Sequence, residues 1–282
     1  MSNAMLTIDT LGDFDVRLND VSLLEGKDVK WGLLPVYLAE AGKPKPRIEL
    51  AHLLWPHVDV ETARSDLRTL LMRERRDGLE SFFHADRNFV ALANPHEIDY
   101  DCAVLRAAAK DAARAPLDVL MAAAARYRGD FLETVVLDEY PELDEWAAAV
   151  RVEMEIAAVR VLSTLVARGL ETGPAEAVRP YAAQLADLAP YDDNAAELNV
   201  RTLAGTGEVA AALLYFQQYR RRLQEDMSLE VTSPSLLRLV EQISRPGVAP
   251  EILARPAAGV PVAKKAGSRT RGIPIAGAHH RP

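Results

Sequence analysis

The sequence has a single cysteine, Cys102, in 282 residues, so no internal disulfide framework can form and a reducing compartment is expected. It has no apolar run long enough to span a bilayer and no signal-peptide core, which excludes a helical membrane protein and points to the cytoplasm. It also lacks the constellations of enzymes. There is no HExxH, no CxxC, no GxSxG elbow and no Gly-rich phosphate loop. The six histidines form no ligand set: His52 and His57, the nearest inner pair, stand five apart across Pro56, which is not one helical face. No metal, no cofactor and no catalysis are therefore expected. Cys102 reads as a small apolar filler, and Trp31, Trp55, Trp146 and Tyr127 as packing.

Excess positive charge is missing too. The net charge is −8, which argues against a protein that coats nucleic acid without selectivity. Split along the chain, residues 5–100 carry −5, residues 101–244 carry −9, and only residues 245–282 are basic, at +6. That last stretch is rich in Pro, Ala and Gly without periodicity, the composition of a flexible linker over 246–282. Two readings of it stay open, a natural basic tail or a break in a linker ahead of a further module. Met1 to Ala4 look like a cloning remnant before a natural start at Met5.

What is present falls into two parts. From Leu6 to Val29 the pattern alternates, with Gly12, Asn19-Asp20 and Glu25-Gly26 as turn signals, and predicts a small antiparallel sheet. Helices are expected over Lys30–Ala41, with Pro35 inside its first turns, and over Arg47–Trp55, closed by Pro56. A third follows from Asp59 to Gly78, and Ser81–Leu92 reads as a hairpin turning at Asp86-Arg87-Asn88. Strands, three helices and a hairpin are the order of a winged helix, assigned to residues 5–100. Residues 101–245 are Ala- and Leu-rich and predicted all-helical, with segments at 103–114, 116–128, 142–169, 174–188, 192–204, 208–226 and 234–244. Thr172-Gly173 recurs as Thr206-Gly207 and Tyr181 as Tyr215, a period of 34 that is also that of tetratricopeptide repeats. The expected fold is mainly α, a winged helix followed by stacked helix pairs.

The Asp59–Gly78 segment carries the chemistry. At about 100° per residue, Ala63, Leu67, Leu70, Leu71 and Glu74 share one side, and Ser65, Thr69, Met72, Arg73 and Arg76 the other, with Arg68 at the flank. Asp59 is the expected N-cap. A packing face backed by arginines and short polar groups suits a helix in a major groove, where Arg forks reach guanine edges and phosphates. The same pattern also describes an ordinary solvated face. Taken with the hairpin, the candidate DNA-binding residues are Arg64, Ser65, Arg68, Thr69, Met72, Arg73, Arg76, Arg87 and Asn88.

Leu54-Trp55 closing the second helix, Leu67-Arg68, Leu71 and Arg75 in the third, and Phe89 after the hairpin turn resemble the OmpR-like DNA-binding domain of SARP-type bacterial transcriptional activators. Tyr127 to Leu132, the helix around Trp146, and Gly207 to Leu239 resemble the activator domain that follows it, so the resemblance spans about residues 6–244. The chain departs from that pattern at Glu74, where leucine is usual, at Met227-Ser228 for a Leu-Gly pair, at Thr232-Ser233-Pro234 for Pro-Ser-Pro, and in a wing turn without glycine. Asn88 is the residue there suited to a left-handed conformation. The resemblance implies a transcriptional regulator with double-stranded DNA as partner, contacts to RNA polymerase, and a homodimer on repeated sites. The acidic balance of residues 5–100 keeps a second reading open, a repeat scaffold whose winged helix does not bind DNA.

Overall fold

The structure, a computed structural model, describes residues 4–245; the expectations for the basic tail and for the first three residues lie outside that range. The chain opens with strands β1 (Leu6–Asp9), β2 (Asp15–Leu18) and β3 (Val21–Ser22). Helices α1 (Val29–Ala41), α2 (Arg47–Leu54) and α3 (Val60–Glu74) follow, with a two-residue strand β4 (Lys45–Pro46) between the first two. The wing is β5 (Phe83–Ala85) and β6 (Phe89–Leu92), and a last strand, β7 (Ile98–Tyr100), precedes the helical region.

Turn chemistry places the first hairpins. Asn19 and Asp20 both take positive φ, at 51° and 68°, the tight turn that reverses β2 into β3. β1 pairs antiparallel with β2, Ile8 facing Val16. The other edge of β1 pairs parallel with β7, Ile8 opposite Tyr100, giving the order β3-β2-β1-β7. β7 is absent from the sequence reading because three residues give no measurable alternation. A second sheet, β4-β6-β5, braces the wing against the loop before α2.

The helical region runs through α4 (Asp101–Lys110), α5 (Leu117–Ala124), α6 (Pro141–Thr172), α7 (Arg179–Leu188), α8 (Asp193–Gly205), α9 (Val209–Met227) and α10 (Pro234–Ile243). The expected helix over 174–188 is broken into a 3-10 turn, Ala175–Val178, and α7. Pro180 is the reason: it offers no N–H to the preceding turn and fits only the first turn of a new helix. The repeat of period 34 aligns the end of α6 plus α7 with the end of α8 plus α9. Its two glycines differ, however, since Gly173 is extended at φ −148° and Gly207 is left-handed at φ 85°.

One hydrophobic cluster runs from Leu6 and Ile8 in the sheet, through α1 to α3, into α4, α5, α6 and α7, and ends at Leu198. A second joins α8, α9 and α10 around Phe216, Tyr219 and Leu236. The segment from Tyr127 to Leu132 stitches the winged helix to the helices. Gly12 N–H donates to the Asp130 carbonyl at 3.1 Å, and Leu132 N–H to the Thr10 carbonyl at 2.8 Å. Gly12 and Gly129 approach so closely that a Cβ on Gly129 would stand 3.0 Å from the Gly12 Cα. Behind them Phe131 and Tyr37 both set an edge against the Trp146 ring, with centroids 5.4 and 5.1 Å away. The Trp146 and Tyr127 packing expected from sequence is therefore junction packing.

The departures from the family pattern near the end of the helical region are accommodated in different ways. Ser228 ends α9 in the left-handed conformation, at φ 54°, where the family pattern that the sequence resembles has glycine. A side chain there costs about 1 kcal/mol. Ser228→Gly should raise stability by about that amount; a lowered urea midpoint would contradict this account. In the next loop Asp193 Oδ2 accepts from Thr232 N, Thr232 Oγ1 and Ser233 N at 2.7–2.9 Å, and Ser233 caps α10. The loop is thus fixed without the first proline.

Candidate nucleic-acid interface

α3 begins at Asp59, whose Oδ1 accepts from the Glu61 and Thr62 amides, both at 3.0 Å. This is the expected cap. The packing face is also as expected, with Ala63, Leu67, Leu70, Leu71 and Glu74 buried. The far end differs. α3 stops at Glu74 and passes into a wider π-type turn, Arg75–Leu79, that ends on Gly78 at φ 97°. Gly78 is needed twice there, for its φ and because a Cβ would press on Leu18 at 2.9 Å.

Glu74 is fully buried, and neither carboxylate oxygen has a hydrogen-bond partner. Burial pushes its pKa well above the usual carboxylate range, Asp77 adds to that, and Lys27 opposes it. Lys27 is itself engaged in an ion pair with Asp77. The burial thus favours the protonated carboxyl at a position where the SARP-type pattern that the sequence resembles has leucine.

On its outer side α3 forms a cleft of about 420 Å³ with the wing. Five arginines line it: Arg64 and Arg68 from α3, Arg75 from the π-type turn, Arg87 from the wing turn, and Arg47 from the start of α2. Leu71, Met72 and Ala85 supply an apolar strip between them. Among the described residues no carboxylate stands within ion-pair distance of any of the five arginines. Arg47 is fixed in place. Its amide donates to the Asn88 carbonyl at 2.8 Å and its Nη1 to the Asp86 carbonyl at 3.1 Å. Burial lowers its pKa, and the charges of Arg68, Arg75 and Arg64 lower it further against the pull of Asp86.

Asp86 closes the wing turn by accepting from the Asn88 and Phe89 amides, both at 2.7 Å. These bonds hold its carboxyl below the ordinary aspartate value. No residue of this turn is left-handed, so Asn88 does not play the part expected of it; Asn94, after β6, takes the positive φ instead. An Asx-type turn replaces the glycines.

Of the residues named from sequence, Arg64, Arg68, Met72 and Arg87 come together in the cleft. Ser65, Thr69 and Arg73 on α3 and Arg76 in the π-type turn lie outside its lining, and Asn88 contributes its backbone. Thr69 donates its hydroxyl to the Ser65 carbonyl at 3.1 Å. Met72 and Phe89 are exposed apolar groups, at 60% and 44%. Sequence reasoning passed over Arg47 and Arg75 as site residues. Arg75 was legible, since 64, 68 and 75 fall within about 40° on a helix. Arg47 was not, because only the tertiary fold brings the start of α2 beneath the wing. Among the described residues no helix is long and apolar enough to cross a membrane.

The chain is thus a winged helix joined through a shared core to stacked helix pairs. The family model described as "Bacterial transcriptional activator domain" matches residues 99–244, and the chain belongs to that family. It is a SARP-type transcriptional regulator. Among solved structures it is similar to Mycobacterium tuberculosis EmbR, determined in complex with a low affinity phosphopeptide. The TM-score is 0.59 at 18% identity, over 90% of this chain and 69% of that one, a likeness of fold. No curated protein matches.

Proposed function

We propose that this regulator binds double-stranded DNA through residues 5–100, with α3 in the major groove and the wing beside it. Residues 101–245 form the regulatory unit, which contacts RNA polymerase or pairs two protomers on repeated sites. The observation that carries the reading is the concentration of unpaired arginines at the meeting of α3 and the wing. In an acidic domain, five like charges with no carboxylate in ion-pair contact and only the nearby Asp86 to offset them raise the free energy of the unbound protein, and a polyanion relieves that cost. The net charge of −5 over residues 5–100 favours the scaffold reading and weakens non-specific affinity. Binding senses the local field, which is positive here.

Duplex from the promoter of the protein's own locus, titrated at several salt concentrations, tests this. Affinity should fall steeply and linearly in a log–log plot. An affinity that ignores salt, or none at all, would leave the scaffold reading. The double variant Arg73→Ala, Arg76→Ala provides a second test on exposed positions. Stability should change by less than about 0.5 kcal/mol. Each lost guanine contact should cost about 1–3 kcal/mol of binding. Equal affinity of this variant and the wild type at low salt would remove those two arginines from the interface.

A further inference from the structure

The arginines of the cleft and those outside it stand in different settings, and the difference assigns them different work. Arg64, Arg68 and Arg75 lie on one stripe, and Ser65, Thr69, Arg73 and Arg76 fall roughly 80–160° farther around an ideal helix. The first stripe shares a cleft with Ala85 and Arg87 of the wing and with Arg47; the second lies outside it. We propose that the cleft is a seat for one backbone phosphodiester of the DNA strand, and that bases are read by the second stripe alone. This rests on the DNA-binding reading above and divides its site in two.

Three features support the division. Arg47 lines the cleft while tied to the wing turn by its Nη1 and its amide, so it cannot extend to a base edge without losing the Nη1 tether. It lines the cleft together with Arg64, Arg68 and Arg75, a grouping that offers several guanidinium forks to one tetrahedral anion. The exposed Met72 and the half-buried Ala85 are useless to a bare inorganic anion but fit the deoxyribose carbons on either side of a diester. A strand passing from the major groove at α3 to the wing must carry such a phosphate across this gap. Contacts to it position the protein and carry no sequence information.

The test compares Arg47→Ala, Arg47→Lys and Arg76→Ala on two duplexes, the promoter fragment and a scrambled duplex of equal composition. Arg47→Ala should weaken both by the same factor, about eightfold at 0.1 M salt, and reduce the log–log salt slope by about one unit. Arg47→Lys should keep most of the slope. Arg76→Ala should narrow the ratio between the two duplexes. Arg68→Ala, an exposed change, gives the same reading as Arg47→Ala if the latter loosens the wing. A wild type with salt-dependent affinity whose slope is untouched by both Arg47→Ala and Arg68→Ala overturns the seat but leaves DNA binding standing. So does an Arg47→Ala variant that alters discrimination more than slope. A wild type that binds neither duplex overturns both. Inorganic phosphate is the control for a free anion. If millimolar phosphate at constant ionic strength raises the melting temperature as much as DNA does, and Arg47→Ala abolishes the rise, the cleft is a site for free phosphate and the strand assignment fails.

Discussion

Asp101→Ala should destabilise the protein by about 3–5 kcal/mol, the largest effect expected of any single polar residue in the chain. Asp101 is fully buried at the first turn of α4, directly after β7. Its Oδ2 accepts from the Thr10 amide at 2.6 Å and the Leu11 amide at 2.8 Å. Its Oδ1 accepts from the Thr10 hydroxyl at 2.7 Å and the Cys102 amide at 2.8 Å. Burial raises its pKa while these donors oppose the rise. Removing the carboxylate strands three buried amides at the place where the sheet meets the helices, and each orphaned donor costs about 1–3 kcal/mol. Asp101→Asn should be nearly as damaging, because its amide nitrogen would face two donors or force the side chain to turn. Thr10→Val, which removes one hydroxyl, should cost about 1 kcal/mol. Urea denaturation measures all three. A loss below about 1 kcal/mol for Asp101→Ala would show that the carboxylate does not secure the junction.

Glu74→Leu should have the opposite sign, adding about 1–3 kcal/mol near neutral pH. The carboxyl is buried without a partner, so leucine removes a desolvation cost and adds apolar contact. The pH dependence fixes the cause. A carboxyl whose pKa is raised on folding binds its proton more tightly in the folded state. Its contribution is therefore present below the unfolded value of about 4.3 and lost as pH rises towards the folded value. Wild-type stability should fall with pH above about 4.3, by at most about 1.4 kcal/mol per unit from this group. Glu74→Leu should lack that fall, so the gain it brings grows with pH up to the folded pKa. Affinity for DNA should not change, since Glu74 faces away from the cleft. A destabilised Glu74→Leu would mean that the carboxylate is satisfied by groups that the static fold does not show.

Much of this protein follows from local sequence. The periodicity of residues 60–74 determined which side of α3 packs, down to Glu74, because a helical wheel needs nothing beyond the spacing of side chains. Asp59 marked the start of α3 through its own short hydrogen bonds, and Asn19-Asp20 marked a hairpin through its backbone freedom. The 34-residue period and the Leu-rich faces determined stacked helix pairs, since such faces bury only against neighbours.

The tertiary structure decided what depends on distant partners. β7 is a strand only because β1 offers an unpaired edge 92 residues earlier. Asp101 reads in sequence as an ordinary first-turn acid, and it becomes the buried acceptor of the junction only when Thr10 and Leu11 are laid over it. Arg47 joined the candidate site by the same logic: the start of α2, the π-type turn and the wing turn meet at one cleft, and the charge gathered there belongs to no segment by itself. Like charges raise one another's energy according to distance in space, and the sequence records only distance along the chain.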